Sequence, residues 1–334
     1  MQYRHLGKSN LRVSTLCLGT MMFGDQTGRE EAKAIVDDAQ SSGVNFIDTA
    51  DVYGFGACET IVGELLQGRR QDWVLASKLG NKMSNRVNQG HYSRSWMLRE
   101  VDASLQRLRT DHVDILYLHR DINGMDLEEP LRALDALLTA GKIRYWGVSN
   151  FRGWRIAEIM RLAGQIGVPG PVVCQPYYNL LKRMPEVEVL PACDHYGIGV
   201  VPYSPIARGV LSGKYVPGQA PAADSRAGRG DGRIGETEFR EESLRIAQQL
   251  SSHAKDKGIA LAQFATAWVL AHRAVSSVIA GPRTLAQWRD YLPALDYVVT
   301  PEDEALVDSL VTPGHPSTPG FNDPQYPLPA RRRF

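Results

Sequence analysis

The chain has 334 residues, 43% hydrophobic and 22% charged, an ordinary balance for a folded protein with a full core. A formal net charge of +1 supplies no basic field for nucleic acid, and no run approaches the roughly 18 apolar residues of a membrane span. Residues 1–10 are polar rather than leader-like, and the four cysteines form no C-x-x-C pair, so a cytoplasmic protein with reduced thiols is expected, without a disulfide framework or zinc site.

Residues 2–14 read as a short hairpin turned by Gly7, Lys8, Ser9 and Asn10. Eight short apolar runs follow, at 15–19, 45–48, 73–78, 113–119, 143–149, 172–175, 198–203 and 277–281. They are rich in Val, Ile and Leu, as parallel strands buried on both faces require. Helical patterns lie between them. Residues 93–109 put Leu98, Val101, Leu105 and Leu108 on one face, and 126–140 do the same with Leu127, Leu131, Leu134 and Leu138 before Gly141. The first seven runs start roughly every 30 residues, the span of one βα unit. The eighth comes after an insertion from 205 to about 274, which holds a Gly/Ala/Arg/Asp-rich stretch at 217–235 and two further helical patterns.

Eight βα units in one chain predict an α/β fold, a (β/α)8 TIM barrel with an N-terminal hairpin, as one domain over residues 1–312. A Pro-rich tail, 313–334, carries Pro313, Pro316, Pro319, Pro324, Pro327 and Pro329 and is expected to be extended. A doubly wound sheet would want G-x-G-x-x-G after its first strand. The nearest match, Gly54-Phe55-Gly56-Ala57-Cys58-Glu59, follows the second and ends in Glu.

In such a barrel the active site forms at the C-terminal ends of the strands. Those ends carry Asp48 with Tyr53 shortly after, then Lys78, His119, Ser149-Asn150, Gln175 and Tyr203-Ser204. Each alone has a plain structural reading: a cap, a surface lysine, a satisfied core histidine. An Asp, a Tyr, a Lys and a His meeting at one barrel mouth perturb one another's protonation, which points to acid–base chemistry. Met22, Phe23, Phe55 and Trp96 are expected at an apolar pocket mouth.

Asp48-Thr49-Ala50-Asp51-Val52-Tyr53-Gly54, Lys78 and Leu118-His119 resemble the Asp, Tyr, Lys, His tetrad of the aldo-keto reductases. The resemblance continues through Leu18-Gly19-Thr20-Met21, Gly147-Val148-Ser149-Asn150-Phe151 and Gln175-Pro176-Tyr177-Tyr178-Asn179. It extends over Tyr203-Ser204-Pro205-Ile206-Ala207-Arg208-Gly209-Val210-Leu211-Ser212-Gly213-Lys214 to Ile279-Ala280-Gly281-Pro282-Arg283, covering roughly residues 1–310 in order. It implies an NADP-dependent oxidoreductase acting on a small-molecule aldehyde, ketone or alcohol. Tyr53 would be the proton donor, its pKa lowered by Lys78; Asp48 would hold Lys78 and His119 would orient the substrate oxygen. Gly19, Thr20, Met21 and Asp48 would border the cofactor. Ser149, Asn150 and Gln175 would bond its carboxamide, and Tyr203 would stack on its nicotinamide. Ser204, Pro205, Ile206, Gly209, Leu211, Gly213 and Lys214 would line the pyrophosphate, and Gly281, Arg283 and Gln287 the adenosine end. Arg283 favours NADPH over NADH, whereas Tyr291 stands where a common pattern of the family has an adenine-binding Asn.

Two tripeptides are coincidences. His119-Arg120-Asp121 imitates a kinase loop without its companion motifs, and Arg229-Gly230-Asp231 an adhesion signal in an intracellular setting. The eight histidines show no i, i+4 pair, so no metal is expected. Nothing in the sequence specifies an oligomeric state. The alternative function is a cofactor-binding, redox-sensing subunit like the potassium-channel β subunits, which share this tetrad; the 217–235 stretch is expected to be a flap over the cofactor.

Overall fold

A computed structural model of the chain describes residues 1–326; the last part of the expected tail, with Pro327, Pro329 and Arg331-Arg332-Arg333, lies outside the described residues. The hairpin pairs β1 (Tyr3–His5) with β2 (Arg12–Ser14), Arg4 opposite Val13. Eight parallel strands follow. They are β3 (Leu16–Gly19), β4 (Phe46–Asp48), β5 (Val74–Leu79), β6 (Val113–Leu118), β7 (Ile143–Ser149), β8 (Val173–Gln175), β9 (Gly199–Val200) and β10 (Val278–Ala280). Neighbours in sequence are neighbours in the sheet, with β10 returning to β3. Parallel bridges from Val200 to Val275 and from Tyr203 to Ile279 join the two edges, giving the (β/α)8 barrel.

The strands match the apolar runs closely except the seventh, expected over 198–203, where Pro202 removes a ladder donor and β9 is reduced to two residues. Tyr203 still reaches the ladder, donating its N–H to Pro176 O at 3.1 Å. The helices between the strands bury one face each. In α3 (Arg94–Leu108), capped by the Ser93 hydroxyl accepting from Trp96 N, that face includes Met97, Val101, Leu105 and Leu108. The two patterns of the insertion are α8 (Glu241–Asp256) and α9 (Leu261–Ala271).

Two cores result. One, between barrel and helices, runs around the molecule; the other, inside the barrel, is filled by Cys17, Phe46, Ala76, Ile115, Tyr117, Val173 and Val201. Leu6 and Val13 of the hairpin belong to this inner core and plug the N-terminal end of the barrel. The plug fits because Gly7, at φ 58°, lies against Gly199: a Cβ on Gly199 would come within 2.5 Å of Gly7 N. Polar atoms at the other end of the barrel are therefore the ones left facing a cavity. All four cysteines are buried and unpaired. Among the described residues no helix is long and apolar enough to cross a membrane, and no group of His, Cys, Asp or Glu could hold a metal ion.

Candidate active site

Strand ends β4, β5 and β6 bring the four ionisable residues together. Lys78, 1% exposed, donates all three ammonium protons: to Asp48 Oδ1 at 2.5 Å, to the Thr49 carbonyl at 2.8 Å and to the Tyr53 hydroxyl at 3.2 Å. Asp48, itself buried, accepts a second hydrogen bond from Gln175 Nε2 at 2.9 Å. Tyr53 sits on the tight turn after β4, where Gly54 and Phe55 take left-handed dihedrals, and this turn swings the phenol back over the strand end. Its ring meets the His119 ring edge-on, with centroids 6.0 Å apart. His119 Nδ1 has no hydrogen-bond partner among the described residues.

Burial alone would lower the Lys78 pKa, but Asp48 and Tyr53 outweigh it and hold the ammonium above its usual value. Burial raises Asp48 above the usual carboxylate range, against the pull of Lys78. For Tyr53 burial again leads: it raises the phenol above its ordinary value, and Lys78 reduces that rise without reversing it. The expected lowering of Tyr53 by Lys78 is thus corrected, because desolvation and the Asp48 charge together exceed the ammonium's pull. Burial, then Lys78 and Arg120, lowers the His119 imidazole well below its usual value, so it is neutral at pH 7.

The tetrad opens into a cavity of about 540 Å³ at the C-terminal end of the barrel. Of the residues expected around the cofactor, Gly19, Thr20, Met21, Asp48, Ser149, Asn150, Gln175, Tyr203, Ser204, Pro205, Ile206, Gly209, Lys214, Gly281, Arg283 and Gln287 all line it. Leu211 and Gly213 do not. Leu211 is fully buried in the outer core, and Gly213, at φ 78°, ends the short helical turn over 207–212. Phe23 and Trp96, expected at the pocket mouth, are buried, and Phe55 is 71% exposed outside the cavity; Met22 does line it.

A hydrogen-bond chain fixes the cavity floor. Asn150, at φ 60°, donates to His119 O and to Ser149 Oγ, both at 3.0 Å, and accepts from the Tyr203 hydroxyl at 2.8 Å. The Tyr203 ring is backed by Tyr177, stacked 5.1 Å away, and Arg208 lies 5.0 Å from the Tyr177 ring centre. The loop after β9 is unusual in its backbone: Ser204, Ala207, Arg208 and Gly209 all take positive φ, a bend that turns successive peptide groups toward one side. Among the described residues, Arg208, Lys214 and Arg283 line the cavity without a carboxylate partner. Gln287 spends its Oε1 on Arg283 N, at 2.9 Å.

Sequence reasoning missed Arg208, Arg226, Arg229, Arg233 and Tyr326 as lining residues. Arg208 stood inside a motif already singled out, whereas the others reach the cavity only through long-range folding. The 217–235 stretch folds back on itself, through Arg226 to Asp231 at 2.8 Å, and crosses to Gln26 through Arg229 at 2.9 Å. Its last turn, α7 (Gly232–Gly235), presents Arg233, which grips both oxygens of Asp323 in the tail. The tail in turn bridges Pro316 to Lys182 and lays Tyr326 at the cavity edge, with the Arg120 guanidinium 5.7 Å from its ring centre.

The model of the aldo/keto reductase family matches residues 15–312. A probable voltage-gated potassium channel subunit beta of Oryza sativa subsp. japonica is 37% identical, covering 93% of this chain and 97% of that protein. Its counterpart in Arabidopsis thaliana is 37% identical over 89% of the chain and 92% of its own length. The uncharacterized oxidoreductase YrpG of Bacillus subtilis is 35% identical over 97% of the chain and 99% of its own length.

Proposed function

Because the chain belongs to the aldo/keto reductase family, a family of oxidoreductases, we propose that it transfers a hydride between NADP(H) and a small carbonyl or alcohol substrate. The observation that carries this reading is the buried Asp48–Lys78–Tyr53 relay, with neutral His119 beside the phenol, opening on a cavity with unpaired cations. The residues present fit a nicotinamide dinucleotide. Arg208, Lys214 and Arg283 offer charge for its phosphates, the left-handed bend at 207–209 offers close backbone approach, and Tyr203 offers an aromatic face.

Bound NADPH supplies the hydride. The chain supplies the proton and the geometry. Tyr53 donates its O–H proton to the substrate oxygen as negative charge develops there, and the Lys78 ammonium, 3.2 Å away, stabilises the phenolate left behind. Asp48 and the Thr49 carbonyl keep that ammonium aimed. Neutral His119 donates a hydrogen bond to the same oxygen and orients the carbonyl. In the oxidative direction Tyr53 is the base. In this reading residues 1–312 are the catalytic domain, residues 313–334 a Pro-rich tail, and the buried reduced thiols suit the cytoplasm.

A second reading takes its support from the plant relatives' names: a cofactor-binding, redox-sensing subunit that uses the same site slowly. An activity screen with NADPH and NADP⁺ over aldehydes, ketones and secondary alcohols separates the two. Turnover at ordinary enzymatic rates supports the reductase. Tight NADPH binding with no turnover on any member supports the sensor, and no nicotinamide binding at all refutes both.

A further inference from the structure

A second cavity, of about 1090 Å³, lies on the outer side of the first and shares Asn81, Arg120, Asn150 and Tyr326 as common walls. Its charge is unbalanced. Lys182 is only 7% exposed, yet its ammonium has just the Met184 sulfur at 3.1 Å and the Phe321 ring at 5.4 Å for company, with no ion pair among the described residues. Arg120 likewise has the Tyr326 ring and no carboxylate among the described residues. The acids nearby are already engaged: Asp121 by Arg155 at 3.1 Å and Asp323 by Arg233. Two remain: Glu188, exposed at the rim, and buried Glu238, which accepts from the Tyr177 hydroxyl and attracts Lys182 without touching it. Burial pulls the Lys182 ammonium below its usual pKa against the attraction of Glu238 and Asp323, neither of which is in contact with it.

A buried ammonium with no carboxylate in contact weakens the fold unless something offsets it. The walls around it include the aromatic rings of Phe151, Trp154, Tyr177 and Tyr326, and the cavity adjoins the one at Tyr53 and His119 across the residues they share. We infer that Lys182 and Arg120 form a subsite for the remote anionic end of the substrate, a carboxylate-bearing aromatic aldehyde or ketone whose carbonyl reaches Tyr53. This rests on the reductase reading for its chemistry but not for its binding.

The test compares kcat/KM for 4-formylbenzoate and 3-(4-formylphenyl)propanoate with their methyl esters. A charge-assisted contact is worth about tenfold or more. The subsite requires at least one acid to exceed its ester by that factor, and requires Lys182→Met and Arg120→Gln each to shrink the ratio about tenfold. Lys182→Met should also melt at or above the wild-type temperature, which a structural lysine would not permit. A ratio near one for both lengths in the wild type, or unchanged in both variants, overturns the subsite. If no aldehyde is turned over, the reductase reading falls, and calorimetric titration with 3-phenylpropanoate decides the subsite alone. Weaker binding by about tenfold in Lys182→Met supports it, and equal binding overturns it.

Discussion

Replacing Lys78 by Met removes the hub of the relay without changing its length much. Three acceptors lose their donor at once: Asp48 Oδ1, the Thr49 carbonyl and the Tyr53 hydroxyl. Asp48 keeps only Gln175. Breaking a buried ion pair on one side costs about 3–5 kcal/mol, because the remaining charge stays desolvated. Burial already raises the Asp48 pKa, so the lone carboxyl takes up a proton at a higher pH than an ordinary Asp, and the loss is smaller at pH 5 than at pH 8. At about 2 °C per kcal/mol for a large domain, the expected drop in Tm at pH 8 is roughly 6–10 °C. The double variant Asp48→Asn with Lys78→Met, which leaves no bare charge, should recover about 2 kcal/mol or more of that loss. Denaturant unfolding followed by circular dichroism measures all four corners of the cycle. A single variant within about 1 kcal/mol of wild type, or a cycle with no coupling, would refute the account of Asp48 and Lys78 as one interdependent buried pair.

Tyr53→Phe should lower the reduction rate by at least about a hundredfold while leaving NADPH affinity nearly unchanged, as read by steady-state kinetics and fluorescence titration; wild-type turnover would remove the phenol from the mechanism. Because burial raises the Tyr53 pKa, the phenol stays protonated through neutral pH. Reduction should therefore be flat from about pH 6 to 9 and fall only above the ordinary phenol value of about 10, while alcohol oxidation rises with pH over the same span; a midpoint near pH 7 in reduction would contradict this. NADPH should bind more tightly than NADH, and Arg283→Ala should narrow the gap by about tenfold through NADPH; equal wild-type affinities would show Arg283 to be misassigned and direct attention to Tyr291. Trypsin should cut at Arg226, Arg229 and Arg233 without cofactor, be blocked by saturating NADPH, and cut faster at the first two sites in Arg233→Ala, which frees the flap from Asp323; equal cutting with and without NADPH would leave a passive loop.

The barrel was legible in the sequence because its signals are local. Each buried strand is a short apolar run, and the helix at 94–108 announced its buried face at Val101, Leu105 and Leu108. The tetrad was legible for the same reason: a strand end is a position that pattern alone can assign. The place of the 217–235 stretch at the cavity was expected, but its tie to the tail was not. Arg233 and Asp323 are ninety residues apart, and their pairing depends on a fold that brings insertion and tail across the same opening. The direction of the Tyr53 pKa shift was misjudged because a sequence names the ammonium nearby but not the depth of burial that works against it. Phe23 and Trp96 were misplaced for a related reason, since an aromatic residue in a loop after a strand or at the start of the next helix can turn inward to the core as readily as toward the pocket.

The hairpin plug has a consequence in time. Arg4 donates to the carbonyls of Leu270 and Val275, which are made 266 and 271 positions later. Gly7 rests against Gly197 and Gly199, and the carbonyl of His5 is held by Ser276. The hairpin thus has no finished surface to dock on until the last βα units have been made. Such distant pairings slow folding, because a long stretch of chain must be ordered before they form. The early strands are left to wait with an open lower end until the hairpin seals the barrel.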